Sequence, residues 1–483
     1  MGKKFYITSA IPYVNAKPHI GHALEFVQTD VIARYYKLLR NNITKLCGGD
    51  ENALKNVQAA EKEGTPVQEF VDRNNSLFER LAIKLNAKYD IWQKGSDQKN
   101  HYRSSQKLWE LCKKDIYQKQ YKGLYCVGCE TFYATGELND KGECFEHPGK
   151  KLEKVEESNY FFALSKYQKR LVDLIQSNKL EIIPDKRRNE VLSFLSGKLE
   201  DISISRTNER ARNWGVPVPG DSTQRMYVWF DALNIYQSGI GFGWDDQKYK
   251  KLWPADLHVI GKGILRFHSI YWPAFLLSAG LELPKKIFIH EYFTVNGQKM
   301  SKTLGNVVDP EELIERYSKL VGNNATVDGL RYYLLAKFSP FSDGDFSENK
   351  FKEVYNSDLA NGLGNLVARV AKLCEINNVI INPIKSRLPT SSELGGYHIH
   401  LENFEFNLAL EELWRDITEI DRDINVDQPW EGKNLDKIPG YVRQIKHIAF
   451  GLQPFLPKTS EKILKIFSGP KVKSGEILFP RLK

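Results

Sequence analysis

The chain opens with Phe5-Tyr-Ile-Thr-Ser-Ala-Ile11, passes through Pro18-His19-Ile20-Gly21-His22 and then reaches Ile43-Thr-Lys-Leu-Cys47. The first run is rich in β-branched and aromatic residues and suits a buried strand. After it, Ile20, Leu24, Val27, Val31, Tyr35 and Leu38 recur at helical spacing, with Asn41-Asn42 as a stop. Ile43–Cys47 reads as a second strand, closed by Gly48-Gly49-Asp50-Glu51. Strand, helix, strand at this length is a βαβ unit, which predicts a parallel sheet with ligands beyond the carboxyl ends of its strands. The histidines then sit at a helix N-terminus, where unpaired N–H groups and the helix dipole favour anions such as phosphate. Gly21 has no side chain, so a flat ligand could lie against the backbone. Asp50 falls on the same carboxyl edge, although an Asp after two glycines is equally a turn residue or a helix N-cap.

Composition narrows the class. With 483 residues, 41% of them hydrophobic, the chain exceeds one core, and roughly two to four packed units are expected. Lys and Arg outnumber Asp and Glu by 69 to 60, a net charge of +9 that permits a polyanionic partner without requiring one. No window approaches the roughly 18 apolar residues of a membrane span, and MGKKFYITSA runs into the first strand without a signal-peptide pattern. Six cysteines in so long a chain do not resemble a disulfide framework, so a reducing cytoplasm is expected.

Further along, Cys126-Val-Gly-Cys129 and Cys144-Phe-Glu-His147 form paired knuckles. Such spacing can offer three thiolates and one imidazole to Zn²⁺ in a closed, structural site; scattered cysteines without metal are the alternative. Tyr160–Lys179 carries a helical pattern, and turn signals around 201–206 and 214–220 suggest an inserted lobe. Strand patterns resume at 226–230, 257–260 and 287–290, with a helical run from Phe267 to Ala279, so an α/β domain is split by an insertion. Lys299 and Lys302 then flank Ser301 after an Asn296-Gly297 turn. The pair could hold triphosphate charge, or be two solvated lysines on a loop. Beyond about Phe351 the pattern is all-helical, and Asn361, Asn365 and Arg369, four apart, share one helix face.

These stretches together resemble a known family. Pro18–His22 and Lys299–Thr303 match the two signatures of class I aminoacyl-tRNA synthetases. Ala10–His22, Tyr227-Val-Trp-Phe-Asp-Ala-Leu233, Phe267–Pro273 and Lys299–Asn306 resemble the methionyl branch, in the family's order along nearly the whole chain. The resemblance implies a Rossmann-like catalytic domain in two halves, 1–115 and 226–350. It also implies a zinc-knuckle connective lobe over 116–225 and an α-helical anticodon-binding domain over 351–483. The implied chemistry joins L-methionine to ATP as methionyl-adenylate, releasing pyrophosphate, and then transfers methionine to the 3′ end of tRNA(Met). No covalent enzyme intermediate is needed, so positioning and charge neutralisation carry the catalysis.

By that resemblance, His19, Gly21 and His22 contact ATP, Ser301 belongs to the same nucleotide site, and Lys299 and Lys302 neutralise pyrophosphate with Mg²⁺ as counterion. Asp50 matches the carboxylate for the substrate ammonium. Ala10, Ile11, Tyr13, Trp229, Ala232, Tyr236, Phe267 and His268 match the methionine pocket, whose aromatic faces suit a polarizable thioether. Asn361, Asn365, Arg369 and Trp430 match the anticodon reader, and Cys126, Cys129, Cys144 and His147 the zinc ligands. Ending at Lys483 without the family's appended tRNA-binding barrel, the chain is expected to be a monomer.

Three positions depart from the family pattern. Gly263 stands where an Asp is usual, Asn52-Ala53 replace His-Gly, and Thr303 replaces Ser while keeping a hydroxyl. The rivals are another class I enzyme, of leucyl or cysteinyl type or a small nucleotidyltransferase, and a catalytically silent tRNA-binding relative. The first lacks support because there is no large editing insertion. Against the second stand His19, His22, Lys299 and Lys302; Gly263 speaks for it.

Overall fold

The computed structural model describes residues 2–128, 131–133, 138–144, 149, 152–300, 305–381, 396–475 and 477–483, without the side chains of 121, 131 and 132. The chain divides into two compact units, one holding 1–17, 42–80 and 89–290, the other 18–41, 81–88 and 291–483.

The first unit is built on a six-stranded parallel sheet. Its strands are β1 (Lys4–Ser9), β2 (Asn42–Gly49), β3 (Ile91–Lys94), β4 (Glu181–Ile183), β5 (Leu257–Gly261) and β6 (Lys286–His290). Their spatial order is β3-β2-β1-β5-β6-β4, all neighbours parallel. The order reverses at β1, so the crevice of a doubly wound sheet falls beyond the carboxyl ends of β1 and β5. The apolar runs that suggested buried strands fill the core: Ile7, Val259, Ile260, Ile287, Phe288 and Ile289 have at most a trace of exposure.

The second strand is longer than the sequence pattern suggests. Gly48 and Gly49, expected to turn the chain, pair with Gln93 and Lys94 in register. Their task is close approach, since a Cβ on Gly48 would run into the Gln93 carbonyl.

Two further expectations are corrected. Tyr160–Phe162 extend the strand Glu153–Phe162, which pairs antiparallel with Ile116–Cys126, and the helix begins only at Gln168. Met226 ends the strand Asp221–Met226, and Val228–Ala232 is a helix. A short apolar run buried on all sides carries no period, so strand and buried helix read alike. The stretch from Ile116 to Met226 holds a four-stranded and a three-stranded sheet, and it also supplies β4 to the parallel sheet, where Phe288 of β6 pairs with Ile183.

In the second unit, α1 (Ile20–Leu38) is capped by His19 and packs on the helix Asn323–Ala336, which in turn packs on Phe406–Asp427 and Pro457–Ile466, with Ile438–Leu452 against both of these. One side chain ties its segments together. The guanidinium of Arg331, fully buried, donates to the carbonyls of Leu85, Pro454 and Phe455 at 3.0, 2.8 and 2.7 Å and pairs with Asp30 of α1 at 2.9 Å. Arg34 holds the same Asp30 oxygen at 2.6 Å and donates to the Asn86 carbonyl. Removing one partner of a buried ion pair costs about 3–5 kcal/mol. Arg331→Ala is therefore expected to lose that much stability in denaturant titrations. Arg331→Lys is expected to recover little of it, because an ammonium cannot span four acceptors.

Candidate active site

In the first unit, the residues beyond β1, β2 and β5 bring the aromatic side chains expected of the amino-acid pocket into one cluster. Tyr13 makes an isolated parallel bridge with Asp50, and the Asp50 amide donates to the Pro12 carbonyl at 2.9 Å. Asp50 is only 2% exposed, and its own carbonyl accepts from Asn56 Nδ2 at 2.8 Å. Trp229 and Ala232 come from the helix Val228–Ala232, Tyr236 from the turn after it, and Phe267 and His268 from the π-helical turn Phe267–Tyr271. Trp229 stacks on Phe267 with centroids 3.7 Å apart, and Tyr13 meets Trp229 edge-on at 6.1 Å. Ala10, Trp229, Ala232, Tyr236 and Phe267 share one buried cluster, with Ile11 and Tyr13 packed against it. An aromatic wall, linked through Tyr13 to a buried carboxylate, suits a cationic small molecule with an unbranched, polarizable arm.

The polarity of this pocket is fixed by hydrogen bonds. His268 Nδ1 lies 3.0 Å from the Ile264 carbonyl, which can only accept, so Nδ1 carries the proton. Its Nε2 then accepts from the Tyr236 hydroxyl at 2.7 Å. The Tyr236 carbonyl in turn accepts from the Tyr6 hydroxyl at 2.6 Å. Burial lowers the His268 pKa from 6.5 to about 4 and pushes that of His258 well down, so both are neutral at physiological pH. His258 and Thr8 escaped the sequence reading. They are register partners on β5 and β1, with Oγ1 2.6 Å from Nδ1. Polar residues facing each other inside buried parallel strands were the available signal.

The second unit carries the other candidate residues. At the start of α1, His19 Nδ1 accepts from the Gly21 amide and His22 Nδ1 from the His19 amide, each at 3.1 Å, a reciprocal cap. The rings lie 3.9 Å apart. With both Nδ1 atoms accepting, each neutral ring carries its proton on Nε2, a donor suited to a phosphate oxygen. Met300 Cε lies 3.6 Å from where a Cβ on Gly21 would stand, and the Ile20 amide donates to the Val308 carbonyl at 3.0 Å. The two signatures thus meet around Gly21. Lys299 ends the strand Gln298–Lys299, across the Asn296-Gly297 turn from Phe293–Val295. Ser301, Lys302 and Thr303 lie outside the described residues.

Elsewhere in this unit Arg369 bonds Asp421 and Asn425 and stands 5.6 Å over the ring of Trp430, which is 48% exposed. Asn365 opens the helix bearing Arg369. Asn361 precedes them on the π-helical segment Tyr355–Gly364, where its Oδ1 accepts from Arg481. Of the four expected anticodon residues, then, Arg369 and Trp430 are in contact, while Asn361 engages the C-terminal tail.

Of the expected zinc ligands, Cys126 and Cys144 are buried, whereas Cys129 and His147 lie outside the described residues. Among the described residues no group of three or more metal-binding side chains gathers.

The neutral state of His268 has a consequence for stability. Between about pH 6.5 and pH 4 the unfolded chain binds a proton that the folded imidazole refuses, so this contribution is intact above pH 6.5 and lost on acidification. In His268→Gln, the stability difference between pH 7 and pH 4 should shrink by on the order of 3 kcal/mol, read from denaturant midpoints.

Comparison with known proteins gives one consistent result. The family model described as tRNA synthetases class I (M) matches residues 5–371. A methionine–tRNA ligase from Brucella melitensis is 38% identical over 97% of this chain and 92% of its own length. One from Thermotoga maritima is 39% identical over 98% and 77%. The solved structure of Mycobacterium tuberculosis methionyl-tRNA synthetase in complex with methionyl-adenylate superposes with a TM-score of 0.89 at 36% identity, covering 99% of this chain and all of that one. The chain belongs to the methionyl branch of the class I tRNA synthetase family.

Proposed function

We infer that the chain is a methionine–tRNA ligase, activating L-methionine with ATP to methionyl-adenylate and pyrophosphate and then charging the 3′ end of tRNA(Met). The observation that carries this reading is the aromatic pocket of Trp229, Phe267 and Tyr13 joined to buried Asp50, in a chain 38% identical along nearly its full length to such a ligase. Asp50 takes the ammonium. Trp229, Phe267, Tyr13, Ala10, Ile11 and Ala232 surround the side chain. Tyr236 and neutral His268 line the same pocket and exclude charged side chains, because an imidazole kept neutral by burial offers no counter-ion.

The carboxylate of methionine attacks the α-phosphorus of ATP, the bond to the β-phosphate oxygen breaks, and pyrophosphate leaves. His19 and His22 donate from Nε2 to phosphate oxygens, and the bare backbone at Gly21 leaves room for the nucleotide. Lys299 and Lys302, with Mg²⁺ on ATP, neutralise the departing charge, and Ser301 is assigned to the same nucleotide site. Silence is disfavoured by the intact His19–His22 cap. Methionine-dependent ATP–pyrophosphate exchange tests the reading; no exchange would favour a silent relative, and exchange with another amino acid would overturn the specificity.

We assign recognition of the anticodon to the face bearing Asn361, Asn365, Arg369 and Trp430. An exposed indole with a guanidinium over it is a platform for unstacked bases. Trp430→Ala should reduce aminoacylation by at least about tenfold while leaving ATP–pyrophosphate exchange within about twofold. Loss of both would instead mark a folding role.

Zinc fits the donor set of the connective lobe. Cys126 and Cys144 are buried, as the ligands of a closed thiolate site are, and Cys129 and His147 complete the proposed four. When bound, the ion supplies structural cross-linking only. Metal analysis of protein purified without chelators should find about one zinc per chain, and none would refute the site. The division into catalytic halves 1–115 and 226–350, lobe 116–225 and anticodon domain 351–483 follows this assignment of roles. We assign a cytoplasmic setting from the sparse cysteine usage, six in 483 residues; among the described residues no helix is long and apolar enough to cross a membrane.

A further inference from the structure

The loop after β2 is held through two consecutive residues, Glu51 and Asn52. Glu51, fully buried, accepts from the Ser96 amide at 2.8 Å and its hydroxyl at 2.6 Å, and its carbonyl accepts from Trp214 Nε1 at 2.8 Å. Asn52 uses one amide nitrogen for two bonds, to the Gly95 carbonyl at 2.8 Å and to a carboxylate oxygen of Asp231. Its oxygen stands 3.4 Å from the Tyr102 hydroxyl. Asp231 is 1% exposed and sits on the helix Val228–Ala232, between Trp229 and Ala232. His101, itself fully buried and bonded to Ser238, approaches the same carboxylate at 3.7 Å.

This arrangement joins the two ends of the amino-acid pocket. On one side of the Asn52–Asp231 bond lies the Asp50 loop, and on the other the helix that aims Trp229 at Phe267. Resting on the reading of Asp50 as the ammonium partner, we propose that Asn52 is a positioning residue whose carboxamide fixes the span between that carboxylate and the aromatic wall. The span sets the length of amino acid that can satisfy both ends at once, so Asn52 and Asp231 act on amino-acid selection without touching the substrate. A displacement of an ångström at such a span is enough to lose productive geometry. An Asn carries the bond here without titrating, where the family pattern has His.

ATP–pyrophosphate exchange tests this, with methionine and ATP each varied. Asn52→Ala is expected to raise the methionine KM about tenfold while the ATP KM stays within about twofold. Asn52→His, which restores a donor towards Asp231, should recover the methionine KM to within about threefold of the parent; Asn52→Gln, one methylene too long, should not. Parallel rises in both KM values, unchanged values, or equal behaviour of the His and Gln variants would overturn the proposal. Asp50→Asn separates the two readings. If it leaves the methionine KM unchanged, the ammonium assignment fails; if it raises that KM while Asn52→Ala does not, only the positioning role fails.

Discussion

A single buried guanidinium organises the second unit. Arg331 meets four acceptors drawn from three separated stretches of chain: Asp30 on α1, the Leu85 carbonyl, and the carbonyls of Pro454 and Phe455. Burying a charge is expensive unless it is paired and hydrogen-bonded, and the planar fork of arginine satisfies both demands at once. Nearby, Asp328, almost fully buried, accepts from the Thr459 amide and so fixes the start of the last helix. The helix capped by His19 is thereby anchored through Asp30 and Arg34. Its N-terminus can then be shaped for a ligand, with the two rings locked by their own caps.

The amino-acid pocket follows a complementary logic. Its walls are aromatic and its polar groups are neutral or already engaged, as with the Tyr6–Tyr236–His268–Ile264 chain of hydrogen bonds. Such a chain fixes the tautomer of His268 and the tilt of Tyr236 before any substrate arrives. Asp50 is then the charged group of the pocket set, and selectivity rests on shape and polarizability around it. Binding a thioether needs this kind of site, because sulfur offers almost nothing to a hydrogen-bond donor.

Much of this was legible in the residues. The βαβ opening, the capped helix from Ile20 and the strands at 257 and 286 carry strong local patterns, and all are present. Both signature motifs and the pocket aromatics could be named from resemblance. What the sequence hid was tertiary in origin. Gly48 and Gly49 read as a turn because glycine is usually conformational, whereas here it is steric, admitting the neighbouring strand. Val228–Phe230, now within a helix, read as strand because burial on every side erases the helical period. Thr8, His258, Asn52 and Asp231 matter only through partners 250 and 179 positions away, which no local window can see.

The short strand β4 changes the meaning of the word insertion. Residues 181–183 leave the lobe, pair with β6 and close the edge of the parallel sheet. The stretch 116–225 is thus no detachable cassette, for cutting it out would strip β6 of a neighbour and expose a row of unpaired amides and carbonyls. An edge of that kind invites pairing with other chains. A chimaera that exchanges this stretch therefore needs junctions on either side of residues 181–183.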